Sequence, residues 1–396
     1  MAEAAPGQAG YPSPAMQATQ QNSLLRQALL NSSPRMRKNL GNFNNNGIPG
    51  GTTRIKLFNV GVTTRILLDV NATFDIGTAI AVVSNKNPFN LINRVKVTDF
   101  DGTDRINCSG YQLWVWNCVR NLGVPYGYNN GSQASVVTIP LVPTAIGAGQ
   151  AFRFMIELPL AYDPESDLRG ALLLQSAIGE SWISIDWNSN LVSGANPNDD
   201  SVYQGAATTT VIQSAGTYFN VNVFQEYLLP QPVDIGGKSI TPLPPLDLLT
   251  VYEYAGAVRS TDNLSANQEK LINMPNLRSV ITAYANFRNN GVLNAATTDI
   301  TKVRLIANGN NVMREWNGAD LVFEQRLLGF DADLRKGTYF VPARRKPIET
   351  ALYGNVQIGF TPTSVTNTNY PSDIEVGFES FYTKGTTLPG ISQASG

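Results

Sequence analysis

The 396-residue chain contains no histidine, and that absence excludes more chemistry than any residue present suggests. Imidazole is the side chain whose unperturbed pKa lies near neutrality, so a serine or cysteine relay through histidine and a His-containing zinc site are both ruled out. Cysteine is scarce as well. Cys108 and Cys118 are too few for a thiolate-only zinc site; their spacing does not decide for or against a disulfide, and the interior preference of Cys favours two buried, reduced thiols. No apolar run reaches the roughly 18 residues that cross a bilayer. The Ala, Gly and Gln start does not read as a signal peptide, so the chain is expected to be soluble as made. Neither sign of charge is in excess: 29 Lys and Arg stand against 30 Asp and Glu, a formal charge of −1. Such a molecule offers a polyanion no strong field, which argues against a general nucleic-acid coat and against specific nucleic-acid binding.

What is present is turn chemistry between short apolar stretches. The 34 Gly, 23 Pro and numerous Asn residues supply turn conformations and stop helices, which favours a β-rich fold. At 42.9 kDa, two domains are the default. From Thr52 the pattern is that of strands: TRIKLFNV, RILLDVNATFDI, INRVKVTDF, VVTIPLV, AFRFMIELPL and SWISIDWNSN are short, rich in β-branched and aromatic residues, and bounded by Gly, Pro, Asn or Asp. The same grammar returns in NLRSVITAYANF, TKVRLIAN, GTYFVPA, VQIGFTP and DIEVGFESFYT. Between the two series lie Pro230, Pro232, Pro242, Pro244 and Pro245, which place a domain boundary near residues 230–245.

The halves also resemble each other. INRVKVTDFDGTDRINCSGYQLWVW, from Ile92, aligns without gaps to ITKVRLIANGNNVMREWNGADLVFEQ, from Ile300, pairing Val95 with Val303 and Gly110 with Gly318. Each copy runs strand, polar hairpin, glycine, apolar segment, and the second copy's apolar segment has helical spacing. Duplication of one β-domain is the simpler explanation.

Residues 1–51 differ in character. Residues 17–30 (QATQQNSLLRQALL) place Leu24, Leu25, Ala28 and Leu29 on one side of a short helix that needs a partner surface. Arg35, Arg37 and Lys38 follow Pro34, in a stretch of fifty residues whose only acid is Glu3. On a mobile arm such a basic turn can dock on a neighbouring subunit, anionic lipid or nucleic acid; as a solvated surface it does nothing.

Other candidates have bland readings that win. Asp163, Glu165 and Asp167 could hold a hard cation, but the glycine and distal glutamate of a calcium loop are missing, and turn capping or subunit contact is favoured. Asp99, Asp101 and Asp104 surround an Asp-Gly pair, which is first a hairpin signal. Arg344, Arg345 and Lys346 either meet a neighbouring subunit's carboxylates or form a solvated edge. Phe152 with Phe154, and Trp114 with Trp116, alternate at strand spacing as barrel interior or interface anchors. No catalytic, cofactor-binding or metal-ligating residue is expected.

Five stretches carry a family resemblance: SGYQLWVWN (109–117), LPLAYDPESDLRGALL (158–173), SGANPNDDSVYQGAA (193–207), LPPLDLLTVYE (243–253) and KGTYFVPARRKPIETALYGNVQIGF (336–360). Together, in this order and spacing, they resemble the double jelly-roll major capsid proteins of tectiviruses, tailless icosahedral bacteriophages with a membrane beneath the shell. The likeness spans roughly residues 60–385; the family's histidine in the first stretch is absent here, and the first fifty residues match poorly. The resemblance implies an all-β fold of two eight-stranded jelly-roll barrels in tandem, with short helices and an amino-terminal arm. It divides the chain into an arm (1–51), a first jelly roll (52–235), a second (236–390) and a tail (391–396). It further implies a non-catalytic capsid protein without cofactor, forming pseudo-hexagonal homotrimers whose barrels stand perpendicular to the shell. Loops would form outward towers, and the arm, with Leu24, Leu25, Leu29, Arg35, Arg37 and Lys38, would face the membrane. The partners implied are neighbouring capsomers, vertex and minor capsid or membrane proteins, and the viral membrane surface. The location is the outer shell of the virion, reached from the host cytoplasm. The competing reading is a glycan-binding or glycan-active β-sandwich using Trp182, Trp187 and the Asn-rich loops, although no opposed carboxylate pair stands out for it.

Overall fold

A computed structural model of the chain describes residues 33–44, 50–76, 81–120, 147–175, 177–205, 211–212, 220–231, 233–235, 238–240, 250–260, 264–293, 299–327, 338–342 and 347–383. The expected helix at 17–30 with Leu24, Leu25 and Leu29, the VVTIPLV segment, and Arg344, Arg345 and Lys346 lie outside the described residues.

Eight strands build the first unit: β1 (Arg35–Asn44), β2 (Thr52–Lys56), β3 (Val62–Ile76), β4 (Ile92–Thr98), β5 (Asp104–Cys108), β6 (Gly147–Pro159), β7 (Trp182–Trp187) and β8 (Asn220–Leu228). They hydrogen-bond in the orders β1-β8-β3-β6 and β2-β7-β4-β5. The chain thus changes sheet at every connection except the β4–β5 hairpin, which is the jelly-roll winding. Eight more strands repeat it: β9 (Thr250–Ser260), β10 (Lys270–Asn273), β11 (Ser279–Asn289), β12 (Ile300–Ala307), β13 (Asn311–Asn317), β14 (Thr338–Pro342), β15 (Val356–Pro362) and β16 (Asp373–Thr383). Their orders are β9-β16-β11-β14 and β10-β15-β12-β13. Among the described residues, two α-helices complete the frame, α1 (Gly110–Arg120) and α2 (Gly318–Leu327). α1 follows the β4–β5 hairpin and α2 the β12–β13 hairpin.

Side-chain periodicity explains the sheets. In β7 the alternation sends Ile183, Ile185 and Trp187 inward, and in β8 Val221, Val223, Gln225 and Tyr227. β11 is buried on both faces. Ala283, Ala285 and Phe287 enter the second core, while Ile281 and Tyr284 join the first. A strand flanked by two cores loses its alternation.

The repeat read from the sequence is present at the level of hydrogen-bond register. Val95 pairs with Cys108 across the first hairpin, and Val303 with Trp316 across the second, so the same offset of 208 residues relates both partners. The register slips after Val97 in one copy and after Leu305 in the other, which keeps that offset again. The irregularity thus falls at the same place in both hairpins, so the repeat extends from sequence to backbone geometry. Helix α1 starts at Gly110 and α2 at Gly318.

Two expectations need correction. Arg35, Arg37 and Lys38 do not form a turn on an arm: they open β1, which pairs with β8 from Arg35 opposite Leu228 to Asn44 opposite Asn220. The first barrel therefore starts inside the segment assigned to the arm. The basic residues misled because a strand with one face on solvent carries charge there without any loss. Second, Trp114 and Trp116 lie on helix α1 and not on a strand. Nine of ten consecutive side chains after Gly110 are buried there, Tyr111 through Val119, so the helix is buried all round and has no solvent-facing side to betray its period.

The seam between the barrels

The geometry richest in chemistry lies where the two barrels meet. Strand β9 of the second barrel runs beside β5 of the first, with a parallel bridge between Tyr254 and Ile106. Around it stands an aromatic cluster. The Trp116 ring is 4.8 Å from that of Tyr254, Tyr254 is 5.4 Å from Tyr284, and Tyr252 is 5.2 Å from Phe381. Tyr162 sits edge-on to Tyr252 at 5.7 Å. Such pairs add about 0.5–1.5 kcal/mol each beyond the area they bury. Two of the hydroxyls are bonded across the cluster: Tyr252 and Tyr284 both donate to the fully buried carboxylate of Glu379, Tyr284 at 2.9 Å. Two glycines let the rings approach. A Cβ at Gly170 would collide with Tyr252, and one at Gly377 with Tyr254.

Helix α1 is fixed into this seam from its own barrel. The Ser109 hydroxyl accepts from the Gln112 amide as a cap (3.2 Å). Asn117 exchanges two hydrogen bonds with the Glu157 backbone, at 2.9 and 2.7 Å. Trp116 can then point at β9 in one orientation only.

A second, polar clasp joins the barrels elsewhere. Asp199 accepts from the Asn85 amide at 2.7 Å in the first barrel and from the Leu293 amide at 2.7 Å in the second. Its neighbour Asp200 bridges Lys86 at 3.5 Å and Arg288. Arg288 also binds Asp373, with Nε 3.0 Å from Oδ1. Burial works against the charge on Asp200, but Lys86 and Arg288 outweigh it and hold its carboxyl below the usual range. At Asp373 burial prevails and raises the carboxyl despite Arg288. Asp200 is partly exposed and has Lys86 as a second cation, whereas Asp373 is fully buried and relies chiefly on Arg288.

The remaining candidates fall as follows. Asp99 caps its turn, accepting from the amides of Asp101 and Thr103, and binds Arg105 at 2.7 Å. Asp163 accepts from the Glu165 amide (2.8 Å), and Asp167 pairs with Arg169. Among the described residues no cluster of acidic, histidine or cysteine side chains is arranged to hold a metal ion. Cys108 and Cys118 are free and buried, as the composition favoured. Trp187 is buried and donates to Thr53 at 2.7 Å, and the Arg54 guanidinium lies 4.4 Å over Trp182. Neither ring is an open platform for a sugar. Arg35 pairs with Glu165; Arg37 donates to Glu226 at 2.7 Å; Lys38 lies 3.4 Å over the Phe58 ring.

The sequence reading missed Tyr254, Glu379, Asp199 and Arg288 as individuals. A signal existed in the segments: the five stretches that carry the resemblance supply Trp116 and Asn117, Tyr162 and Gly170, Asp199 and Asp200, Tyr252 and Glu253, and Thr338, whose hydroxyl meets Tyr111 at 2.9 Å. They converge on the contact between barrels.

Two jelly rolls of one winding, welded in tandem, define a double jelly-roll shell protein. Comparison with known proteins narrows this. The model of the P3 major capsid protein N-terminal region matches residues 16–230, and that of the P3 major capsid protein C-terminal region matches residues 249–394. The chain is 28% identical over 344 residues to the major capsid protein P3 of Enterobacteria phage PRD1, covering 83% of this chain and 82% of that one. In fold it is similar to the STIV major capsid protein (TM-score 0.64, 11% identity, 89% of this chain and 97% of that one). The major capsid protein P2 from bacteriophage PM2 is also similar (TM-score 0.50, 11% identity, 89% and 100%). The chain belongs to the P3 major capsid protein family and is a structural, non-catalytic capsid protein of an icosahedral virus.

Proposed function

We propose that three copies of this chain close into a capsomer of six barrels, and that such capsomers tile the outer shell of the virion over an internal membrane. The observation that carries the reading is the seam. It holds two copies of one winding in a single relative orientation, so each chain presents a rigid two-lobed block, and a threefold axis turns three such blocks into a six-lobed tile. The residues before Ser33, with Leu24, Leu25 and Leu29, form the arm on the membrane side. Arg35, Arg37 and Lys38 add charge at its root, reduced by Glu165 and Glu226. Arg344, Arg345 and Lys346 meet carboxylates of a neighbouring subunit. Neighbouring capsomers, vertex and minor capsid or membrane proteins and the membrane surface are the partners, without specific nucleic-acid binding; before assembly the protein is soluble in the host cytoplasm. Light scattering on the purified chain should give the mass of three chains, unchanged on dilution to micromolar concentration. A single-chain mass under those conditions overturns the proposal.

A further inference from the structure

Exposed large apolar side chains in the connections between strands are confined to one end of the molecule. Phe58, Phe100 and Ile178 stand in the β2–β3, β4–β5 and β6–β7 connections of the first barrel, and Leu277 and Leu352 in the β10–β11 and β14–β15 connections of the second. The strand registers make these connections level. Lys56 and Thr98 both lie opposite Trp182, and Asn273 lies opposite Gln357. The parallel bridge between Ile106 and Tyr254 then points both barrels the same way. Among the described residues, the connections at the opposite end expose no large apolar side chain. Single exposed apolar residues need no explanation, but their confinement to one end does.

The tips are held in place. The Asn59 side chain donates to the carbonyls of Ala177 (3.4 Å) and Gly179 (3.3 Å), and a Cβ at Gly179 would strike the Phe100 carbonyl. In the second barrel the Arg278 amide donates to the Thr350 hydroxyl at 2.9 Å, and the Thr350 amide to the Arg278 carbonyl at 2.9 Å. Ile178 is fully exposed at the crest of one such cluster, and Leu352 is 76% exposed on the other.

Three observations say what covers them. A protein partner of fixed shape is matched by a contiguous patch, whereas separate tips spread over two barrels suit a fluid surface. Acids close to the tips carry their own cations, Glu180 with Lys56 and Asp99 with Arg105, so they do not repel lipid, and the Lys38 ammonium lies over the Phe58 ring. Finally, β1 begins and β16 ends at this same level, with Arg35 opposite Leu228 and Thr383 opposite Thr250, so residues 1–32 and 384–396 join the fold here.

We infer that this end of each barrel touches lipid directly: Phe58, Phe100, Ile178, Leu277 and Leu352 enter the interfacial layer of a bilayer as separate shallow anchors, independently of the arm. The inference rests on the reading that capsomers lie over an internal membrane, and it assigns membrane contact to the barrels themselves. Being apolar, the contact needs no anionic lipid and is insensitive to salt, unlike one made by the arm's cations.

The test uses the full chain and vesicles of phosphatidylcholine, which carries no net charge. Ile178→Trp and, separately, Leu352→Trp should each add fluorescence that is quenched by vesicles brominated high on the acyl chains. Asn196→Trp, in the β7–β8 connection at the opposite end, should add fluorescence that is not quenched. Ile178→Asp combined with Leu352→Asp should lower the vesicle partition coefficient about tenfold at low and high salt alike, with wild-type circular dichroism and an unchanged mass by light scattering. Asn196→Asp, the same charge at the opposite end, should bind as the wild type. Vesicle-bound protein whose Ile178→Trp and Leu352→Trp variants stay unquenched, or a double Asp variant that binds as the wild type, overturns the loop contact and leaves the membrane to the arm. A wild type that does not bind vesicles overturns the loop contact and the membrane reading together, while the mass of three chains is judged separately.

Discussion

Glu226 illustrates how single residues hold the first barrel's edge. Burial opposes its charge, but hydrogen bonds and attraction from Arg65 and Arg37 outweigh that and keep its carboxyl below the usual range. Arg37 stands on β1 and Glu226 on β8, so the pair is also a strand-to-strand tie. A depressed carboxyl contributes stability that is fully present above its unfolded pKa, about 4.3, and lost as pH falls through the lower folded value. Glu226→Gln should therefore cost about 1 kcal/mol at pH 7 in chemical denaturation, and the difference from wild type should shrink as pH falls below the unfolded pKa and vanish once the carboxyl is protonated in the folded state. A difference that persists in acid would mean the glutamate acts through packing. None of this was legible beforehand, because a charge on a strand looks the same whether it is solvated or paired across the sheet.

At the scale of elements, the sequence was readable where a rule was unambiguous. β3, β4, β7, β12 and β16 were evident from β-branched and aromatic runs with turn residues at their ends, and the hairpin repeat was readable down to Gly110 and Gly318. The losses share one cause. β1, with three cations and three Asn among its ten residues, and α1, buried all round, both lack the contrast between faces that periodicity needs. The correction to β1 changes how the arm must be tested. Removing residues 1–38 would cut four positions from a paired strand, so the deletion should stop at residue 32. That variant should keep the wild-type thermal transition and the three-chain mass, yet yield few intact membrane-lined particles, because a weak contact per arm becomes strong only when multiplied over a closed lattice. Normal particle yield would remove the arm from assembly, and a fall to single chains would make it part of the trimer's own clamp.

For the whole molecule, the question is whether two barrels behave as two domains. Chains of this length usually do, with separate cores and separate unfolding. Here the first core takes in Tyr252, Tyr254, Ile281, Tyr284 and Phe381 from the second barrel, and β9 continues the first barrel's sheet. Separating the barrels would expose those rings and break the Asp199 and Arg288 clasp. Each loss falls on both barrels at once, which is the condition for cooperative unfolding. Calorimetry on the intact chain should show one transition, and residues 236–396 expressed alone should aggregate. Trp116→Ala, which empties the centre of the seam, should cost about 3–5 kcal/mol, as for a buried aromatic elsewhere. It should also split the single transition into two, since the barrels would then be coupled mainly by the polar clasp. Two transitions in the wild type would show that the barrels fold independently, and the fixed orientation on which a six-lobed tile depends would have to come from the neighbours in the shell.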